Sequence, residues 1–231
     1  MTNIMGLCSA YSLLYGIHKP HKLLDRAAVK GAKVVSICDL NNLYGVHAFI
    51  EAAKERNIRP VIGTALTMSN EKIVYCFVEN RAGFGRLCEI LTERNKDKER
   101  FDPLPFLLED AAGLVLASAD ALALECLAGR VKRLYAAVTP TDIRAVEKSR
   151  KLGVPLAFLD NSLFLDEGDF AVHRVVRAIG LLKTVGNLAA GDTANKGRIL
   201  RASGELPGCL LTWSEAYEGT EEIAELWTLP R

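Results

Sequence analysis

Short apolar runs alternate with stretches of helical period from the first residues onward. The apolar runs predict strands over residues 4–8, 33–38, 59–68, 72–78, 113–118, 132–138 and 155–159. The helical stretches predict helices over residues 20–31, 47–56, 84–94, 122–127, 143–152, 169–182 and 214–227. This alternation is typical of an α/β protein with a mostly parallel sheet.

Two features refine this picture. The turn Ser69-Asn70 predicts a hairpin between the third and fourth strands, and six or seven β-α units favour a closed or nearly closed barrel over an open sheet. Spacing alone does not distinguish the two arrangements. We expect an exposed loop over residues 93–105 and an irregular crossing over residues 186–208. The predicted organisation is a barrel over residues 1–185 and a C-terminal extension over residues 186–231 that packs on it.

Composition excludes several classes of protein. The 29 basic and 28 acidic residues give a formal charge of +1, so nothing in the overall charge attracts DNA or a membrane. The amino terminus lacks the basic region of a secretion signal, and no apolar run approaches the roughly 20 residues of a membrane span. Six cysteines without a C-x-x-C pair indicate buried, reduced thiols and a cytoplasmic location.

The carboxyl ends of the strands are where a barrel of this type carries its chemistry. The residues at those ends are Ser9, Asp39, Ala65, Ser118, Val138 and Asn161. Among them, only Asp39 has a side chain that hard or borderline metal ions prefer as a ligand. The histidines show no i, i+4 pair and are interpreted as packing or surface residues: His18, His21, His47 and His173.

Three other patterns have weak functional interpretations. Cys8 stands at a strand end as a possible nucleophile, but no His or Asp is placed by sequence to activate it. Gly83-Phe84-Gly85 lacks the third glycine of a dinucleotide fingerprint and is typical of a turn before a helix. The basic stretch at residues 129–135 is interpreted as a solvated strand face and not as a phosphate-binding surface.

Longer strings carry a family resemblance. CSAYSLLYG at residues 8–16 resembles the opening H-x-H-S-x-Y-S-L-L-D-G of the PHP domain in bacterial DNA polymerase III alpha subunits. The strings at residues 23–45 and 52–66, which contain NLYG and RPVIG, are similar to the next stretches of that domain. Residues 79–95 and 157–180 resemble two later ones. Error-prone polymerases of the same family are also similar here.

The resemblance implies a distorted (β/α)7-type PHP barrel whose family site binds Zn, Mn or Fe-type divalent metals. Asp39 is retained in this chain, and Asp169 and His173 persist on the helix after the last strand. Other residues stand at the family's ligand positions, namely Gly6, Cys8, Tyr15, Leu40, Ala65, Asn95, Asn161 and Leu163. Because Gly, Leu and Ala donate nothing to a metal, we expect no bound metal, no cofactor and no catalytic residue.

The resemblance also implies a role. We expect a domain of a replicative or error-prone DNA polymerase, a nucleotidyltransferase whose catalytic palm lies outside these residues, acting in replication or repair. The expected partners are the remainder of a polymerase polypeptide or replication and repair proteins such as a proofreading exonuclease subunit, with only indirect DNA contact. An active PHP phosphoesterase using Cys8, Asp39, Asn95 and His173 is the main alternative, and a regulatory binding protein unrelated to polymerases is the other.

Overall fold

A computed structural model describes residues 2–201 and 214–226. Its strands are β1 (Thr2–Leu7), β2 (Ala32–Leu40), β3 (Arg59–Thr67), β4 (Ile73–Val78), β5 (Leu114–Ser118), β6 (Leu134–Val138) and β7 (Leu156–Phe158). Its α-helices are α1 (Pro20–Val29), α2 (Val46–Glu55), α3 (Arg81–Lys96), α4 (Pro103–Glu109), α5 (Ala121–Leu127), α6 (Ala145–Leu152), α7 (Asp169–Leu181) and α8 (Ser214–Glu225). Two 3-10 turns, Val185–Asn187 and Ala190–Asp192, follow α7.

The strands follow one another in sheet order from β1 to β7. β4 runs antiparallel to both of its neighbours, which confirms the predicted hairpin with β3, and the other pairings are parallel. The sheet curls into a nearly closed barrel surrounded by helices, as predicted. Apolar side chains such as Met5, Phe77 and Ala137 fill its interior, and separate apolar clusters lie between the sheet and the helices.

The seam of the barrel lies between β1 and β7, which do not pair as strands in the described part of the chain. At the carboxyl ends the gap is bridged by two backbone hydrogen bonds, Cys8 N to Ser162 O at 2.9 Å and Asn161 N to Met5 O at 3.3 Å. Nearer the middle, α8 packs on the edge of β7, where the hydroxyl of Thr220 accepts a hydrogen bond from Phe158 N at 3.0 Å. The edge strand is therefore covered, as an unpaired edge needs to be.

Two predicted local structures are wrong. Residues 93–105 are not one exposed loop, because α3 continues to Lys96 and α4 begins at Pro103. Asp102 caps α4 by accepting from Leu104 N at 2.9 Å, and Pro103 supplies the first helical position. The helix expected from residue 143 instead begins at Ala145, since Thr139 and Asp142 exchange backbone hydrogen bonds in a tight turn.

The cysteines are only partly as predicted. Cys8, Cys38 and Cys76 are buried and free, but Cys88 is exposed and Cys126 is half-buried. Cys88 departs from the prediction because it lies on the outward face of α3. Cys209, and the part of the predicted irregular crossing beyond residue 201, lie outside the described residues.

Candidate functional site

The retained carboxylate of Asp39 is held by serine residues of the loop after β1. Its Oδ1 accepts from Ser9 N at 2.7 Å and from Ser12 Oγ at 2.8 Å, while its Oδ2 accepts from Ser9 Oγ at 2.8 Å. Asp39 is buried, and burial raises its pKa, an effect that the serine hydrogen bonds offset only in part. Both carboxylate oxygens are therefore engaged in joining β2 to that loop.

Cys8 has the environment of an inert thiol. It is buried, and its Sγ lies 3.1 Å from Ser12 Oγ. Burial, followed by the nearby charge of Asp39, raises the pKa of Cys8 to about 12. Because the thiolate is the nucleophilic form, a thiol that stays protonated is a poor nucleophile.

His173 on α7 has both ring nitrogens committed to the backbone. Nδ1 lies 2.8 Å from Tyr15 O, and Nε2 accepts from Ala194 N at 2.9 Å. A carbonyl partner at one nitrogen and an N–H partner at the other fix the neutral tautomer with the proton on Nδ1. Burial lowers the pKa of His173, in keeping with that neutral form.

Asp169, one turn earlier, is engaged in the same way. Its Oδ2 accepts from Leu165 N at 2.6 Å and lies 2.7 Å from His18 Nε2. Burial opposes its charge, but the hydrogen bond with His18 and those from the backbone hold its pKa below the ordinary value. Asp169 thus organises the start of α7. The remaining histidines, His21 and His47, are exposed.

The other residues at the family's ligand positions lie in different environments. Gly6 adopts φ +83° at an irregularity of β1, and its N–H donates to Ser36 Oγ at 2.6 Å. Ala65 faces the apolar barrel interior, and Leu163 packs with Cys8 in an apolar cluster. No donor atom from these side chains reaches the strand ends.

The strand ends open into two adjoining clefts that share Tyr15. One, of about 840 Å³, is lined by Leu40 and by the exposed Asn95 at the end of α3. The other, of about 570 Å³, is lined by Asn161 and Arg198. The structure therefore brings Tyr15, Leu40, Asn95 and Asn161 to one end of the barrel, next to the buried Asp39.

Two residues at this end of the sheet were not singled out in the sequence. Arg198, in the irregular segment after α7, donates from Nε to Asn161 O at 2.6 Å and from Nη1 to Tyr15 Oη at 2.9 Å. Asp160, directly after β7, is a buried carboxyl whose pKa is raised to about 7 by burial. Asp160 carried a weak signal, as an acidic residue after an apolar run, whereas Arg198 carried none.

The residues present do not fit a divalent metal ion. Within the described ranges, no group of three or more His, Cys, Asp or Glu side chains converges in a way that holds a metal. The carboxylate of Asp39 accepts three hydrogen bonds from Ser9 and Ser12, both ring nitrogens of His173 are hydrogen-bonded to the backbone, and Cys8 is buried. The family's metal chemistry therefore has no donor set in this part of the chain.

Comparison with known proteins identifies the relatives of this fold. The family model described as "PHP domain" matches residues 7–152, more than half of the chain. DNA polymerase III subunit alpha of Pseudomonas fluorescens is 24% identical over 257 residues, covering 96% of this chain. Error-prone DNA polymerase 1 of Agrobacterium fabrum is 28% identical over 237 residues, covering 93% of it. These alignments cover only 22% and 21% of the two polymerases, so the chain spans about a fifth of their length.

A solved structure shows the same fold at lower identity. A putative metal-dependent phosphoesterase from Bifidobacterium adolescentis superposes with a TM-score of 0.50 and 12% identity, covering 70% of this chain and 88% of that one. At this identity the likeness concerns the fold alone. Between residues 2 and 201 and in α8, no helix combines the length and apolar character that crossing a bilayer requires.

Proposed function

Because the chain belongs to the PHP domain family, we propose that it acts as the N-terminal PHP-like domain of a bacterial DNA polymerase III alpha-type polymerase, replicative or error-prone. In this role it supports the polymerase structurally in replication or repair, offers a docking surface, and catalyses nothing itself. The polymerase relatives matched along nearly the whole chain support the assignment. The single observation that carries catalytic silence is that, within the described residues, no other ligating side chains converge on Asp39, whose carboxylate accepts three hydrogen bonds from Ser9 and Ser12.

Metal content tests the silent site. Purified full-length protein is incubated with Zn²⁺, Mn²⁺ or Fe²⁺, desalted, and measured for bound metal and for hydrolysis of p-nitrophenyl phosphate. We expect far less than one metal per chain and no turnover above the protein-free rate. Stoichiometric metal together with turnover would overturn the proposal and establish the alternative, an active phosphoesterase.

An exposed apolar stripe on α7 supports the docking role. Val172, Val175 and Ile179, followed by Leu182 just after the helix, are 53%, 48%, 61% and 95% exposed. Their spacing of three, four and three residues puts them on one side of the helix. A contiguous apolar surface that stays uncovered is a feature of interaction sites. We assign it to the remainder of the polymerase polypeptide, with a proofreading exonuclease subunit as the alternative partner.

A double substitution tests this surface. V175D/I179D is expected to weaken binding of this chain to the separately purified remainder of the polymerase at least tenfold, because burying two carboxylates is costly. The control is Val29→Asp, since Val29 is 85% exposed on α1, away from the stripe. Equal affinity of the stripe variant and the control, measured by biolayer interferometry, would exclude docking through α7.

The coding sequence after Arg231 offers a second check. Continuation into a segment with the paired aspartates of a polymerase palm would support the domain assignment. A stop codon would instead favour a free-standing PHP-like protein.

A further inference from the structure

We propose that the strand-end pocket is a guanidinium site which the chain fills with its own Arg198, so that a side-chain cation occupies the mouth of the barrel. This proposal does not depend on the docking role. All three nitrogens of the guanidinium are used: Nε donates to Asn161 O at 2.6 Å, Nη2 to Asn161 Oδ1 at 2.5 Å, and Nη1 to Tyr15 Oη at 2.9 Å.

The position of the guanidinium is central to the strand ends. Tyr15 belongs to the loop after β1, and Asn161 follows β7, so Arg198 joins the two sides of the barrel seam. It also lies within electrostatic range of Cys8, Tyr75 and His173.

The pocket recognises a cation through neutral groups. The hydrogen-bond acceptors of Arg198 are a carbonyl, an amide oxygen and a phenol, and its Cζ lies 5.9 Å from the centre of the Tyr15 ring. Arg177 approaches the same ring, with its Cζ at 5.3 Å. The planar guanidinium group can donate to two oxygens of one residue at once, whereas an ammonium ion lacks this forked arrangement of donors. The geometry therefore selects guanidinium among organic cations.

The backbone around Arg198 fixes it in place. Arg198 O accepts from Leu163 N at 2.9 Å and from Phe164 N at 3.0 Å. Four residues earlier, Ala194 N donates to Nε2 of His173. The segment carrying the cation is thus attached to the chain after β7 and to α7, which makes Arg198 a permanent occupant and not a passing contact.

Chemical rescue tests the site. Full-length Arg198→Ala is expected to lose roughly 5–10 °C in Tm, because it gives up three charge-assisted hydrogen bonds. Methylguanidinium at low millimolar concentration should restore at least a third of that loss, and urea, which has a similar shape without the charge, should restore none. Wild type should show no such gain, and neither should Arg144→Ala, whose arginine lines the same cleft but is exposed and paired with Asp142.

Three outcomes would overturn the proposal. They are an unchanged Tm for Arg198→Ala, a missing response to methylguanidinium, and an equal response in Arg144→Ala. If Arg198→Ala does not fold, Arg198→Lys decides: lysine keeps the charge but cannot make the forked contacts, so a clear fall in Tm supports the site and a wild-type Tm rejects it. This experiment measures thermal stability, so a negative result can be distinguished from a negative result in the metal-binding and phosphatase assays.

Discussion

At the scale of single residues, Asp39 has a structural role. A carboxylate at a strand end suggests a metal ligand, yet its neighbours are a backbone N–H and two hydroxyl groups. Ser12 Oγ in turn accepts from Leu40 N at 2.9 Å, so the network continues into the backbone of β2. Such a buried network is stabilising only while every member keeps its partner.

We predict losses of stability of different size for two substitutions of Asp39. Asp39→Ala leaves Ser9 N–H without a partner and should lower the free energy of unfolding by about 1–3 kcal/mol. Asp39→Asn keeps an oxygen for Ser9 N and Ser12 Oγ and can donate to Ser9 Oγ, so its cost should stay below about 1 kcal/mol. Urea denaturation measures both. A severe loss in Asp39→Asn would show that the charge itself is required.

Asp160 gives the folded protein a pH dependence. Its pKa is raised by burial from an ordinary value of 3.8 to about 7, opposed by the hydrogen bond from Ser162 Oγ at 3.1 Å and by the charge of Lys30. The folded state thus holds a proton that the unfolded chain releases. The contribution of Asp160 to the free energy of unfolding is fully present below about pH 4, declines as the pH rises, and is lost above about pH 7.

Asp160→Asn is therefore expected to flatten the stability profile. The variant should match wild type near pH 4 and exceed it at pH 8, by up to about 4 kcal/mol for a shift of this size. Urea denaturation at pH 4, 6 and 8 provides the comparison. A stability difference between Asp160→Asn and wild type that stays constant from pH 4 to pH 8 would show that the pKa of Asp160 is not raised in the fold.

At the scale of elements, α8 makes a close approach that depends on one glycine. A Cβ added at Gly219 would lie 2.0 Å from Leu156 O, at the start of β7. Next to it, Thr220 Oγ lies 2.8 Å from Phe158 O as well as accepting from its N–H. The helix therefore reaches the strand edge through one small residue and one hydroxyl.

Two helical glycines should respond with opposite sign to alanine. Gly219→Ala is expected to destabilise by about 1–3 kcal/mol or more, because α8 must move away from β7. Gly85→Ala in α3 meets nothing within 4 Å and should stabilise by about 0.5–1 kcal/mol through helix propensity. Thermal unfolding of the two variants tests this. A neutral Gly219→Ala would mean that α8 does not seal the seam tightly.

Elements were largely predictable because their periodic patterns are long. All seven strands and the predicted helices exist, with ends displaced by a few residues. α4 was missed, since its seven residues are too few to show a period and follow a charged stretch. Its signals were an aspartate and a proline at residues 102 and 103, which the surrounding polar residues obscured.

At the scale of the whole molecule, we expect closure of the barrel to require the chain after residue 185 as well as the seam hydrogen bonds of Cys8 and Asn161. Arg198 joins the two sides of the seam at the strand ends, and α8 covers β7 and contacts β1. A fragment of residues 1–185 is expected to expose this seam, bind the dye ANS and lack a cooperative thermal transition. Cooperative unfolding of the fragment with a Tm near that of the full chain would show instead that the barrel closes by itself.

The candidate site was less predictable than the fold. Family strings located Asp39 and the residues at the altered ligand positions, but not the contacts that those residues make. Tyr15 and Arg198 are 183 residues apart, so no local pattern reports their contact. The hydrogen bonds of the His173 ring nitrogens likewise involve Tyr15 and Ala194, which lie close to His173 only in the folded chain.

Gly6, which stands where the family's opening motif has a histidine, adopts a positive φ that disfavours any residue with a side chain. A histidine reintroduced there would have to adopt φ near +83°, at a cost of order 1–3 kcal/mol for a residue with a side chain. Its Cβ would lie 3.7 Å from Asn161 N, and Leu163, at another of the family's ligand positions, packs in an apolar cluster. A Gly6→His substitution alone is therefore expected to cost stability without assembling a metal site, so metal binding would require several substitutions together.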